Sequence, residues 1–120
     1  MYSAKALSRV ETITKKIHFI ENIVQEKGSV IEALEDEQSA RAAILMHLTA
    51  IAEQFDKLLH SGELEILKHF EKQDIKGSYE LRNFIAHDYE GIDFHVVEEV
   101  IKQRLPVIAK SASDAVRYIK

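Results

Sequence analysis

Apolar residues recur every three or four positions along three long stretches of this 120-residue chain, and this spacing constrains the fold most strongly. On an α-helix, residues three and four apart share one face, so each stretch predicts a helix with a single apolar stripe. The chain has only four glycines and one proline, although strand-rich proteins of this length need frequent turn residues. The sequence therefore predicts an all-α fold in which residues 1–120 form one domain around a single core.

Turn and capping residues mark where these helices should begin and end. Gly28 should end the first, and Ser29-x-x-Glu32 has the form of a capping box that starts a short helical piece. Ser61-Gly62 should end the second, and Asp93 should cap the last. The three stripes are Leu7, Val10, Ile13, Ile17, Ile20 and Val24; Ile44, Leu48, Ile51, Phe55 and Leu58; and Val97, Ile101, Leu105, Ile108, Ala112, Ala115 and Ile119.

The region between the second and third stripes is less regular. Residues 63–70 carry apolar side chains at helical spacing, and residues 74–78 are predicted to form a polar turn that leads into another helix. Pro106 should kink the last helix at the residue or two before it. Because the predicted loops are short, neighbouring helices should be antiparallel, which predicts an up-and-down bundle of four main helices plus a short fifth.

Composition narrows the functions that the chain can have. It contains no cysteine, which excludes disulfides, thiolate metal sites and cysteine nucleophiles. It has no signal-peptide run and no apolar stretch of about 18 residues, so we expect a cytoplasmic protein that does not span a membrane. The formal charge of −4 argues against coating nucleic acid by electrostatics alone, so RNA contact should be local or depend on an assembly.

Several polar residues look structural. The Lys15-Lys16 pair is a short basic patch that most often serves solubility, and Glu53 with Gln54 should form a solvated helix edge, with a groove-lining role as the alternative. Five histidines show no metal-binding spacing, and we predict neither a metal site nor a cofactor. These histidines are His18, His47, His60, His69 and His95.

The most informative segment for function runs from Arg82 to Tyr89, with the sequence RNFIAHDY. An imidazole exchanges protons near neutral pH, and a guanidinium matches a phosphate with two parallel hydrogen bonds, so Arg82 and His87 suit RNA cleavage. On an ideal helix, Arg82 and Tyr89 share one face, whereas Arg82 and His87 are about 140° apart. Either the helix loosens before Gly91, or Arg82 and His87 of one chain face their copies in a second chain across a two-fold axis. We favour the second arrangement.

Taken alone, this motif has a plainer interpretation. Arg82 could be an exposed helical arginine, His87 a helix-terminal imidazole and Tyr89 a half-buried aromatic residue. Asp88, directly beside His87, could raise the proton affinity of the imidazole, or it could simply point to solvent. Short motifs are weak by themselves, so the sequence around this one decides its weight.

The combination R-N-x-x-A-H-D-Y-x-G-I-D resembles the signature of the HepT-like (minimal HEPN, formerly DUF86) toxin family. The likeness extends to residues 41–54, which are similar to the family's second long helix, and to Leu105-Pro106 in the last helix. Relatives often carry a Pro-Trp pair before the motif helix, where this chain has Asp74-Ile75, and Gly77-Ser78 weakens the predicted helix start.

The resemblance implies an all-helical, HEPN-like homodimer in which Arg82 and His87 act in metal-independent RNA cleavage at the dimer cleft. Asn83 matches the polar residue that commonly follows the arginine. We expect Asn83 and Asp88 to support the site. The implied partner is a minimal nucleotidyltransferase antitoxin that transfers AMP to Tyr89. Added bulk and negative charge there would block the cleft to RNA.

Two other functions remain open from the sequence. The chain could be a non-catalytic binding module that presents Tyr89 and an apolar groove to a nucleotidyltransferase, and its net acidity favours this alternative, because a free nuclease usually has a basic track. It could also be a structural bundle with an accidental motif. The second alternative ranks last because several separate segments agree with the family.

Overall fold

The computed structural model describes residues 2–117, where all regular secondary structure is helical. Its elements are α1 (Ala4–Lys27), α2 (Val30–Glu35), α3 (Ala40–His60), α4 (Leu64–Leu67), α5 (Lys72–His87), a 3₁₀ turn (Tyr89–Gly91), α6 (Phe94–Glu99), a π-helical turn (Val100–Arg104) and α7 (Leu105–Arg117). The segment from α6 to α7 is the fourth main helix beside α1, α3 and α5. The predicted all-α bundle is confirmed. Within residues 2–117, none of the helices is both long and apolar enough to cross a bilayer.

Helix ends follow the capping signals in the sequence. Gly28 ends α1 at a φ of 104°, and its N–H bonds to the Val24 carbonyl at 2.9 Å. The Ser29 hydroxyl accepts the Glu32 N–H at 3.0 Å, as a capping box requires. The Asp93 carboxylate accepts the His95 N–H at 2.9 Å and starts α6. These predicted boundaries are therefore confirmed.

The apolar stripes meet in one core, which contains residues from Ala6 to Ala115. Stripe positions in the middle of each helix are fully buried, whereas Leu7 and Val24, near the ends of α1, are half-buried and pack against the core. Ile119 lies outside the described residues. Burial of these side chains, rather than intrinsic helix propensity, supplies most of the stability of such helices.

α3 occupies the centre of the layer that carries the motif. It packs against α1 on one side and α5 on the other, and α1 also packs against α7. The predicted turn over residues 74–78 is wrong, because α5 begins at Lys72 and continues through them. Asp74 is buried in the first turn of α5, where the helix dipole and the Arg104 guanidinium both favour a carboxylate. This tertiary contact outweighs the poor helix propensity of Gly77 and Ser78.

Two short features differ in detail from their predictions. The helix expected over residues 63–70 is shorter, since α4 ends at Leu67 and Leu64 is 55% exposed. The distortion expected before Pro106 takes the form of the π-helical turn, in which the Leu105 N–H bonds to the Val100 carbonyl. Proline cannot donate a backbone hydrogen bond, and widened turns are a common way for a helix to accommodate it.

Candidate functional site

The motif occupies the end of α5 and the turn that follows. Arg82, Asn83 and His87 lie on the helix, Asp88 is its C-terminal cap, and Tyr89 begins the 3₁₀ turn. The interpretation that Arg82 and Tyr89 share one helical face is therefore wrong, because the helix ends at His87. The motif is split between a rigid helix and a tight turn.

Arg82 lies half-buried at the seam between α5 and α3. Its Nη1 donates to the Asn83 side-chain oxygen at 3.3 Å, and its Nη2 is 3.9 Å from a carboxylate oxygen of Glu53 on α3. The guanidinium carbon is 5.9 Å from the centre of the Tyr79 ring. Because Glu53 and Arg82 are both partly exposed and far apart for an ion pair, their attraction is weak. A phosphate can therefore compete for the guanidinium.

A second contact fixes α5 against α3 one turn before Arg82. The Tyr79 hydroxyl donates a short hydrogen bond to the Asp56 carboxylate. This bond, followed by burial, raises the pKa of the Tyr79 phenol, so the group stays protonated at neutral pH. The sequence analysis did not single out Tyr79 or Asp56. The available signal was an aromatic residue three positions before Arg82, on a neighbouring part of the helix.

His87 is exposed at the last position of α5. Its imidazole has no hydrogen-bond or ion-pair partner in the part of the chain that the structure describes. Asp88 follows it, but the Asp88 carboxylate accepts the Gly91 N–H at 3.2 Å. A Cβ atom on Gly91 would overlap that carboxylate, so glycine is required there for this close approach. Asp88 thus shapes the turn, and its support of His87 stays a prediction.

Tyr89 connects the motif to the core. The side chain is half-buried and packs against the core cluster, while its backbone starts the 3₁₀ turn that Asp88 and Gly91 close. Half-burial leaves part of the side chain accessible to a reagent. Its modification by AMP stays a prediction.

The arrangement of Arg82 and His87 bears on the two alternatives raised by their spacing. Both residues belong to the regular part of α5, so ending the helix before Gly91 does not bring them together. Across residues 2–117, no hydrogen bond or ion pair joins them. One helix therefore presents the Arg82 guanidinium and the His87 imidazole in different directions.

An apolar groove lies beside the motif, between α5 and α6. It is lined by Gly77, Leu81, Phe84, Val96 and Val100, among others. Phe84 and Val96 are 47% and 49% exposed, so part of this apolar lining is open to solvent. Within residues 2–117, no group of three His, Asp or Glu side chains is arranged to hold a metal ion.

The comparisons with known proteins agree with the motif. A family model described as "Ribonuclease HepT-like" matches residues 6–115, which include the core and the motif. None of the curated proteins and none of the solved structures gives a significant match. A match over this much of the chain shows the family. The chain therefore belongs to the HepT-like ribonuclease family.

Proposed function

We propose that this protein is the toxin of a toxin–antitoxin pair, a metal-independent endoribonuclease that acts in the cytoplasm at a cleft between two copies of the chain. The observation that carries this proposal is the accessibility of Arg82 and His87 near the end of one helix, in a chain of a ribonuclease family. Asn83 supports the site by accepting a hydrogen bond from Arg82.

The residues suit cleavage by the RNA's own 2′-hydroxyl. One imidazole accepts the 2′-hydroxyl proton as that oxygen attacks the adjacent phosphorus. The P–O bond to the 5′-oxygen breaks, and a second imidazole donates a proton to this leaving oxygen. The products are a cyclic phosphate and a free 5′-hydroxyl, and the Arg82 guanidinium stabilises the charge on the phosphoryl oxygens.

The need for two imidazoles and a cation favours a homodimer. A single chain offers one His87, directed away from Arg82, whereas two chains related by a two-fold axis offer two of each. The groove that contains Phe84 and Val96 supplies exposed apolar surface on the same helix and the next one. Covering it with a second copy would remove these side chains from water.

Tyr89 would be the switch. A minimal nucleotidyltransferase antitoxin would activate the phenol oxygen to attack the α-phosphorus of ATP, which releases pyrophosphate and the phenol proton. The attached AMP would add bulk and negative charge two residues after His87. Both effects would oppose binding of an RNA phosphate at the cleft.

The test is an RNA-cleavage assay in EDTA combined with intact-mass measurement. Wild type, His87→Ala and Tyr89→Phe would each be tested with and without the antitoxin and ATP. We expect cleavage that requires His87 and that fades as one AMP-sized increment appears on wild type but not on Tyr89→Phe. If purified, unmodified wild type does not cleave RNA, the nuclease proposal is wrong.

The groove also favours a second candidate, a binding module that presents Tyr89 and apolar surface to the nucleotidyltransferase without cleaving RNA. In that case, Phe84→Ser would weaken the complex with the antitoxin, while expression of the chain alone would leave cell growth unaffected. Growth arrest that His87→Ala abolishes would exclude this candidate.

A further inference from the structure

A basic and aromatic cluster lies on α1 and α3, outside the motif. Phe19 is 36% exposed, and the Lys15 and Lys16 ammonium groups lie over its ring, 5.9 Å and 5.5 Å from the ring centre. The His47 ring of α3 packs against Phe19 with 5.2 Å between centres. We refer to these four residues as the Phe19 cluster. It combines two cations with two flat rings on the surface of an acidic protein.

His47 contributes a ring rather than a charge. Burial, followed by the positive charge of Lys16, lowers the pKa of this imidazole, so it is neutral at physiological pH. Its Nδ1 atom is buried without a hydrogen-bond partner in residues 2–117. The ring therefore acts mainly through its apolar surface beside Phe19.

A row of polar side chains connects α1 to the motif across α3. Glu53 and Gln54 are consecutive on α3, and they contact arginines on opposite sides of the helix. Glu53 lies 3.9 Å from Arg82 on α5, while the Gln54 oxygen accepts a hydrogen bond from Arg9 on α1 at 3.4 Å. Adjacent helix axes are about 8–10 Å apart, so the two guanidinium groups flank the outer face of α3 at the same level.

The α3 face that carries Glu53 is exposed to solvent. Met46 is 68% exposed, and Lys57, one helical turn beyond Glu53, is exposed as well. His47 precedes Gln54 by seven residues, or about 10.5 Å along the helix. His47 and Gln54 share one face of α3, so their α1 partners, Phe19 and Arg9, lie on the same side of the α1–α3 pair. Arg82 lies across α3 from Arg9, next to Glu53.

We propose that this surface binds single-stranded RNA, with phosphates on Arg9, Lys15 and Lys16 and a base stacked on Phe19. Lysines that follow the backbone and an aromatic ring that accepts a base are the combination used by single-strand-binding proteins. A duplex would gain little, because the faces of its bases are already stacked. The strand would reach Arg82 from the α1 side, and this last point rests on the proposed nuclease function.

This surface resolves the conflict between nuclease function and a net charge of −4. The positive charge that RNA requires is concentrated on one face of α1 and completed by Arg82. Glu53 is the carboxylate beside Arg82, and it would repel an incoming phosphate. Its neutralisation should therefore strengthen RNA binding.

The test measures binding of a labelled oligoadenylate of about 12 nucleotides, within the range of single-strand site sizes. His87→Ala serves as the background so that the RNA stays intact. We expect Phe19→Leu to weaken binding about tenfold through loss of stacking. Lys15→Gln with Lys16→Gln should reduce the slope of log affinity against log salt by about 1.4, at about 0.7 per phosphate contact. Glu53→Gln should bind more tightly.

The matched control is Lys68→Gln with Lys110→Gln, which removes the same charge from exposed positions on other surfaces. The inference is overturned if this control weakens binding as much as the Lys15 and Lys16 changes, or if Phe19→Leu binds like its background. Loss of binding in the cluster variants together with an inactive wild type would retain the RNA surface and reject only the nuclease. If cleavage depends on His87 but the cluster variants cleave like wild type, the nuclease proposal is retained and the RNA-binding surface is rejected.

Discussion

Arg104 donates two hydrogen bonds to the buried carboxylate of Asp74, at 2.6 Å from Nε and 2.9 Å from Nη2. This pair joins the π-helical turn to the first turn of α5, while Nη2 also reaches Glu71 at 3.1 Å. Apolar side chains, including Leu81 and Val100, line a cavity at the same seam. The Arg104–Asp74 pair therefore fixes the start of the motif helix against the last helix.

Breaking this pair should destabilise the protein. We expect Asp74→Ala to lower the free energy of unfolding by about 2 kcal/mol, because it leaves the partly exposed Arg104 with Glu71 alone. Arg104→Met should lower the free energy of unfolding further, since it leaves the buried Asp74 carboxylate without its cationic partner. Urea unfolding provides the measurement, with Glu80→Gln at an exposed position of the same helix as the control. Equal stability of Arg104→Met and wild type would contradict this account.

Gly77 offers a route to higher stability. It lies inside α5, and no atom would lie within 4 Å of a Cβ added there. Gly77→Ala should therefore raise the free energy of unfolding by about 0.5–1 kcal/mol. The same change at Gly62 also meets no atom, but the φ of 74° there is strained for alanine, so Gly62→Ala should destabilise. Thermal unfolding of the two variants separates helix propensity from backbone strain.

Gly91 and Asp88 should be energetically coupled. Gly91→Ala forces the Asp88 carboxylate away from the Gly91 N–H, which should destabilise the protein by about 1 kcal/mol. In an Asp88→Ala background the carboxylate is absent, so the same glycine change should cost less. A double-mutant cycle measures this difference, and strict additivity would show that the carboxylate is not the obstacle.

Asp36 should make stability depend on acid. The Lys27 ammonium, at 2.9 Å, and the Ala40 N–H lower the pKa of its carboxyl in the folded protein. A lowered folded pKa means that stability is present above the ordinary value of 3.8 and is lost as the pH falls through the lowered one. Asp36→Asn should therefore lose less stability than wild type between neutral pH and pH 3, whereas its exposed neighbour Glu37→Gln should follow wild type.

Activity should depend on His87 without affecting the fold. We expect His87→Ala to reduce the RNA-cleavage rate by about 10²–10⁴-fold, as is common for loss of a proton-transfer group. Because this imidazole is exposed and has no partner in the described residues, the melting temperature should not change. Exposed His95, paired with Glu98 on α6, gives the matched control His95→Ala. Cleavage unchanged by both substitutions would assign the activity to a contaminant or another site.

Local signals predicted most of the fold. Helical periodicity and helix capping depend only on residues a few positions apart, so they can be recognised in the sequence. This applies to the buried stripes, Gly28, the Ser29 capping box and Asp93. The turn predicted over residues 74–78 failed because Asp74 is stabilised by Arg104, thirty positions away. Such pairs are not readable from local patterns. That residues 1–120 form a single domain stays a prediction.

The site was predictable only in part. Residue types and spacing placed Arg82 and His87 on one helix, but the contacts of Arg82 with Glu53 and Tyr79 depend on how α3 meets α5. The end of the helix at His87 depends on the Asp88–Gly91 turn, which a periodic pattern does not encode. The roles of Arg82, Asn83, His87, Asp88 and Tyr89 stay predictions.

The π-helical turn before Pro106 sets the rotational phase of the last helix. Val97 and Leu105 are eight residues apart, and a regular α-helix would direct them about 80° from each other. Both are buried, and the wider turn brings their directions closer together because it absorbs one extra residue. The apolar faces of α6 and α7 are thus oriented independently of each other about the helix axis. A chain shortened by one residue at exposed Lys102, within the wide turn, should keep both apolar faces directed inward, whereas a one-residue deletion within α7 should rotate part of its apolar face towards solvent.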